Sequence, residues 1–249
     1  MRVFVGTCGF PVSRGKVYNT LDSVEIQETF YNRPNPEKLR RLRLEAPKHF
    51  IFNMKAWQAL THPPTMPTWR RSKDKIPKDK SHLYGFLRPT KENFNAWEEV
   101  VKGAKELNAR VIVLQLPSAF RCNDENIRNM REFLSSITPS KFLIGIEVRG
   151  EWKDKLEVLK SVIEDIKGVI HVVDPLRYRP ALVRSVSYFR LHGLGGSEVN
   201  YRYKYTDEDL KKLKDILADL RGRSTEAYVM FNNVYMYNDA LRFKNILKA

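Results

Sequence analysis

A series of short apolar runs in this chain each end in a charged or amide side chain: Ser23-Val24-Glu25, Phe52-Asn53-Met54-Lys55, Val113-Leu114-Gln115, Ile146-Glu147-Val148-Arg149, Val172-Val173-Asp174, Phe189-Arg190-Leu191-His192 and Met230-Phe231-Asn232-Asn233. These residue types divide by chemistry. His192 titrates near neutrality beside the fixed charge of Arg190, which suits general acid or base work, and Glu147 or Glu25 can serve as a second proton-transfer group. Lys55, Arg149 and Arg190 can hold anionic oxygens, while Gln115, Asn232 and Asn233 can orient a substrate through their amides, the two asparagines as donors. Gly193-Leu194-Gly195-Gly196 follows His192 directly, and backbone N–H groups in such a turn can face an anion. A plainer reading competes: interior charges cost several kcal/mol unless paired, so Glu147 with Arg149, two residues apart on one face of a strand, or Glu25 with Lys55, can simply compensate each other. The number of cations gathered at run ends favours function.

The elements that must carry these groups are strands delivering polar side chains at their C-terminal ends. Such strands separated by helix-like segments point to a single (β/α)8 TIM barrel over residues 1–249, a length close to the roughly 250 typical of that fold. Strands are expected at 3–5, 23–27, 51–55, 111–116, 142–148, 169–173, 187–192 and 227–231, with a turn at 6–11. A helix should start at the Asn35 cap and Pro36 and stop before Pro47. Others are expected at 91–107 with Phe94, Trp97, Val101 and Ala104 as its apolar stripe, after an Asn123 cap, at 151–166, after an approximate capping box at Thr206 and Asp209, and finally to residue 247. The connection from strand 6 to strand 7 is short and poorly patterned. After strand 3 comes a long basic insertion, 61–90, with Arg70, Arg71, Lys73, Lys75, Lys78, Lys80 and Arg88 against Asp74 and Asp79. Trp69, Tyr84 and Phe86 are interleaved with them, the pattern of a groove that tracks a nucleic-acid strand.

The formal net charge of +15 is an argument about polyanionic partners, so nucleic acid or a phosphorylated small molecule is expected. The competing reading is a solvated Lys-rich surface. Two cysteines, Cys8 and Cys122, are too few for a disulfide scaffold and read as buried thiols. No stretch has the form of a signal peptide and no apolar run approaches the ~20 residues of a membrane span, so a soluble, cytoplasmic chain without a membrane partner is expected. The five histidines show no HExxH spacing and there is no CxxC. Glu25, Glu147, Asp174 and His192 could surround a metal, but Lys55, Arg149 and Arg190 would repel it, and no metal ligand is assigned.

Ordered motifs along nearly the whole chain resemble the DUF72 (YecE-like) family. Gly6-Thr7-Cys8-Gly9-Phe10 is similar to its GTSGW, Val24-Glu25-Ile26-Gln27-Glu28-Thr29-Phe30-Tyr31 to VEINSTFY, and Lys55 with Thr61-His62 to K…TH. Gln115-Leu116-Pro117 matches QLP, Glu147-Val148-Arg149 with Trp152 matches E-[FV]-R…SW, Arg190-Leu191-His192-Gly193 matches RLHG, and Phe231-Asn232-Asn233 with Asp239-Ala240 matches FNN…A. Cys8, Phe10 and Gln27 stand where the family has Ser, Trp and Asn. The resemblance implies a TIM barrel and adds Tyr31 and His62 to the substrate-binding set of Lys55, Gln115, Arg149, Arg190, Asn232 and Asn233. It supplies neither a reaction nor a cofactor. With His192, Glu147 and Glu25 as catalytic candidates, the leading expectation is hydrolase or lyase chemistry on a phosphate-bearing substrate, nucleic acid included. The alternatives are a non-catalytic nucleic-acid-binding protein and a sugar isomerase or epimerase-like enzyme.

Overall fold

The structure is a computed structural model that describes residues 1–138, 140–196 and 198–248. Eight parallel strands close into a barrel in sequence order, β1-β2-β3-β4-β5-β6-β7-β8. The strands are β1 (Arg2–Cys8), β2 (Ser23–Ile26), β3 (Ile51–Lys55), β4 (Ala109–Gln115), β5 (Leu143–Glu147), β6 (Val169–Val173), β7 (Val186–Leu191) and β8 (Glu226–Phe231). By contact the chain divides into two compact units: unit 1 comprises residues 1–25, 46–51 and 170–249, and unit 2 comprises 26–45 and 52–169.

In unit 1, β1 pairs with β8 from Arg2↔Glu226 to Thr7↔Phe231, and β8 pairs with β7. β1 continues three residues past the expected strand, so the turn expected at 6–11 starts later. The cause is Gly6, paired with Ser23: a Cβ there would lie 2.3 Å from the Ser23 carbonyl oxygen, so only glycine permits this approach. Helix α1 (Arg14–Thr20) has no counterpart in the sequence reading, because it is seven residues long and buries only Val17 and Tyr18, too few to show a helical period. Helix α7 (Asp207–Asp219) opens on a full capping box: Thr206 accepts from the Asp209 N–H, and the Asp209 carboxylate accepts from the Thr206 N–H. Helix α8 (Met236–Lys248) packs on α7 and β1. Phe4, Tyr228 and Tyr188 stack in turn at 5.1 and 5.7 Å across β1, β8 and β7. No helix forms between β6 and β7.

Unit 2 holds α2 (Glu28–Tyr31), α3 (Pro36–Glu45), α4 (Lys91–Leu107), α5 (Asp124–Ile137) and α6 (Leu156–Ile163). Asn35 Oδ1 accepts the Lys38 N–H at 2.9 Å, with Pro36 as the first residue of α3, as read from sequence. Thr90 caps α4, and Asn108, left-handed at φ 52°, ends it. The buried stripe of α4 is Asn93, Ala96, Trp97, Val100, Ala104 and Leu107, rotated from the expected one, with Phe94 and Val101 half-buried. Gly103 lets α4 close on the 34–39 segment, since a Cβ there would meet Pro34 Cβ at 2.6 Å. Asn123 caps α5 as expected. α6 begins five residues later than the expected 151, because 3-10 geometry at Gly150–Asp154 seats Trp152, whose indole N–H donates to the Phe120 carbonyl at 2.7 Å.

Candidate functional site

Glu25, in β2 of unit 1, is fully buried and both its oxygens are engaged: Oε1 lies 3.0 Å from Arg190 Nη2, and Oε2 accepts from the Tyr188 hydroxyl at 2.8 Å. Burial, and then the Glu25 charge, push the Tyr188 hydroxyl well above the ordinary phenol value, so it remains a donor. Arg190 is 1% exposed. Burying this cation without a partner would cost several kcal/mol, and the carboxylate offsets that cost. Tyr188 is a partner of these candidates that the sequence reading missed. The signal for it was the alternation Tyr188, Arg190, His192, which places all three on one face of β7.

His192 is the residue after β7, and its backbone is held at both ends: the N–H donates to Asp174 Oδ2 at 3.1 Å and the carbonyl accepts from the Asn200 N–H at 2.8 Å. Its ring meets that of Tyr201 edge-on at 6.1 Å. Asp174, directly after β6, also accepts from the Leu176 N–H and lies 3.9 Å from Arg177 Nε. Thus Asp174 positions the strand end that carries His192.

The glycine-rich turn differs from expectation. Arg177 donates to the carbonyls of Gly193 at 2.8 Å and Gly195 at 2.6 Å, and the Gly193 N–H is taken by the Tyr205 hydroxyl at 2.7 Å. The turn therefore aims two carbonyls at a guanidinium, and its first N–H is not available to an anion. Gly193 sits at φ 80°, and a Cβ would come within 2.1 Å of the Asn200 carbonyl oxygen, which explains the glycine without a ligand. Asn233 is corrected as well. Its Nδ2 is spent on the Tyr203 carbonyl and Asp239 Oδ2, each at 2.7 Å, and both are pure acceptors, so the orientation of the amide is set. What remains is Oδ1, buried and without a partner. Asn233 offers an acceptor, not the donor expected. Asn232 is half-buried, its N–H on the Leu191 carbonyl at 2.9 Å.

In unit 2, Lys55 ends β3 at 8% exposure. Its ammonium donates to Gln115 Oε1 at 2.8 Å and lies 3.7 Å from the centroid of the Phe30 ring, on its electron-rich face. Gln115 ends β4, and its Nε2 donates to the Leu116 carbonyl at 2.8 Å, which turns Oε1 towards Lys55. His62 is buried with Nδ1 2.8 Å from the Thr61 hydroxyl and its ring edge-on to Phe30. Burial first, and the Lys55 charge second, pull its pKa from 6.5 down to about 3, so it is a neutral imidazole at physiological pH. Tyr31 is overlaid by Arg71, whose guanidinium stands 4.0 Å from the ring centroid and donates to the phenol oxygen at 2.7 Å. At the end of β5, Glu147 Oε1 and Arg149 Nη2 form an ion pair, with both side chains largely buried.

The sequence matches the family described as "Protein of unknown function DUF72" over residues 16–249. The chain belongs to the DUF72 family. Solved structures of the same fold include a DUF72 protein from Enterococcus faecalis (17% identity, TM-score 0.74, covering 100% of this chain and 98% of that one). Another is a DUF72 protein from Thermotoga maritima (22% identity, TM-score 0.69, 100% of both chains). A D-tagatose 3-epimerase-like protein is also similar (17% identity, TM-score 0.56, 100% of this chain and 96% of that one). No curated protein matches the chain.

In this DUF72 chain the basic insertion is folded down, not a loose arm. Trp69 donates its indole N–H to the His62 carbonyl, the Lys73 N–H donates to Asn32 Oδ1, and the Arg33 N–H donates to Asp74 Oδ2. Arg70, Lys73, Lys75, Lys78 and Lys80 remain exposed. Neither cysteine is in a disulfide: Cys8 is buried in β1, in register with Glu25, and Cys122 is half-buried, more open than expected. Among the described residues no three His, Cys, Asp or Glu side chains are grouped for a metal ion, and no helix is long and apolar enough to cross a membrane.

Proposed function

We propose that this DUF72 protein acts by hydrolysis or lyase chemistry on a phosphate-bearing substrate, nucleic acid included. The observation that carries the reading is the setting of Lys55: a buried ammonium at a strand end that donates to the Gln115 amide, lies over the Phe30 ring and adds to the burial that depresses His62. An anionic oxygen is the group such an ammonium stabilises most. Neutral His62 and Gln115 can then orient the ligand without competing for its charge. Within unit 2, Arg149 is a second anion-binding candidate and its partner Glu147 a proton-transfer candidate, with Tyr31 reached after Arg71 moves from its ring. Within unit 1, His192 is the general acid or base, and Glu25 with Arg190 serves to hold that strand end. Asn232 and Asn233 orient substrate, the latter as an acceptor. The net charge of +15 raises the local concentration of any polyanion and so supports the same class.

Calorimetry with inorganic phosphate and a nucleoside monophosphate tests this directly. Saturable binding that Lys55→Met weakens by at least tenfold is expected, since a charge-assisted hydrogen bond contributes on the order of 1.5–3 kcal/mol. Absence of binding for both ligands overturns the reading. Binding of nucleic acid without any turnover, steeply salt-dependent and lost when Arg70, Lys73 and Lys75 are neutralised together, would favour the non-catalytic alternative. Binding of a neutral ketose in place of phosphate would favour a sugar epimerase-like enzyme.

A further inference from the structure

Among the described residues, five large apolar side chains are exposed, and three of them, Tyr201 (47%), Val234 (67%) and Tyr235 (41%), lie on the loops that follow β7 and β8 in unit 1. The two loops are tied together where the Val234 N–H donates to the Tyr201 carbonyl at 2.7 Å. Tyr201 reaches the ring of His192, and the Lys204 ammonium stands 5.8 Å from the Tyr235 ring centroid. Arg202 and Lys204 are both exposed beside the rings.

We infer that this ledge is a stacking platform for a nucleobase, so that the substrate presented to His192 is a nucleotide unit of a strand and not a sugar phosphate. The inference rests on the proposed reading of a phosphate-bearing substrate and narrows its class. Two exposed phenol rings provide flat π-faces, and stacking on such faces accepts any base. Arg202 and Lys204 supply positive charge where the adjoining phosphates would run, in keeping with a chain of net charge +15. A protein partner fits less well: a stable interface needs about 800 Å² from each side, far beyond what three side chains present.

Fluorescence anisotropy with a short labelled oligothymidylate and an abasic strand of the same phosphate count provides the test. The wild-type protein should bind the base-containing strand more tightly. The double variant Tyr201→Ala/Tyr235→Ala should lose roughly 10- to 100-fold in affinity for that strand, leave the abasic strand unchanged, and regain the loss as Tyr201→Phe/Tyr235→Phe. Equal affinity of wild type for both strands, or an unaffected double variant, overturns the platform while leaving the phosphate reading intact. If neither strand binds, a strand is not the substrate and the inference is overturned, while the phosphate reading is decided separately by the calorimetry with phosphate and nucleoside monophosphate.

Discussion

Arg190 in unit 1 and Lys55 in unit 2 are both buried cations near the ends of their strands, yet they are held in different ways. Arg190 faces a buried carboxylate that is itself clamped by a tyrosine, and the arrangement offsets charge against charge. Lys55 donates to an amide oxygen and lies over the face of a phenyl ring, and its charge helps to depress His62. The guanidinium fork suits a carboxylate, whereas the compact ammonium suits a single amide oxygen and an aromatic face. Unit 2 uses the first solution too, at Glu147 and Arg149. Burial alone therefore does not identify a binding cation.

The largest effect should come from breaking the unit 1 pair. Arg190→Met leaves Glu25 buried without its guanidinium and should cost about 3–5 kcal/mol in denaturant unfolding. The double variant Glu25→Gln/Arg190→Met should recover most of that loss; if it does not, the pair is not mutual compensation and the contrast with Lys55 weakens. Next comes the pH response of unit 2. The His62 pKa falls from 6.5 to about 3 on folding, so between these values the unfolded chain binds more protons. His62 thus contributes stability that is complete above pH 6.5 and is lost as pH drops towards 3. The loss should be on the order of 4 kcal/mol, read as the difference between wild type and His62→Gln across that window. A parallel pair of pH–stability curves would contradict the burial of a neutral imidazole beside Lys55.

Smaller effects sharpen the comparison. In Lys55→Met the lost bond to Gln115 should account for only about 1 kcal/mol of stability, because Gln115 is half-buried and its released oxygen can find water, while phosphate binding falls at least tenfold. A stability loss as large as that of Arg190→Met would show Lys55 to be structural. Smallest of all, neutralising Arg70, Lys73 and Lys75 should change stability by less than about 0.5 kcal/mol for each exposed site, and should act only on the salt dependence of polyanion binding.

Much of the frame was legible in the sequence for local reasons. Polar residues after short apolar runs marked the ends of β3, β4, β5 and β7 because a strand alternates its faces and a barrel packs its outer face under helices. Asn35, Thr206 and Asn123 located helix starts because a cap bonds its own next turn. Where the reading slipped, the cause lay elsewhere in the fold. β1 outruns its apolar run because Gly6 abuts Ser23, and α6 starts late because Trp152 is drawn to Phe120.

The sequence by itself determined that this is a barrel of the DUF72 kind, which residues stand at its strand ends, and that the chain carries a large positive charge. Tertiary structure alone decided what each of those residues can do. Tyr188 finds Glu25 across 163 residues, Arg177 claims the carbonyls of the glycine turn, Tyr203 and Asp239 take the amide donors of Asn233, and Lys55 meets an amide and a ring. A residue type specifies donors, acceptors and charge, which are local properties. Whether a charge is cancelled or left active depends on which distant groups the closed barrel brings within about 3 Å of it.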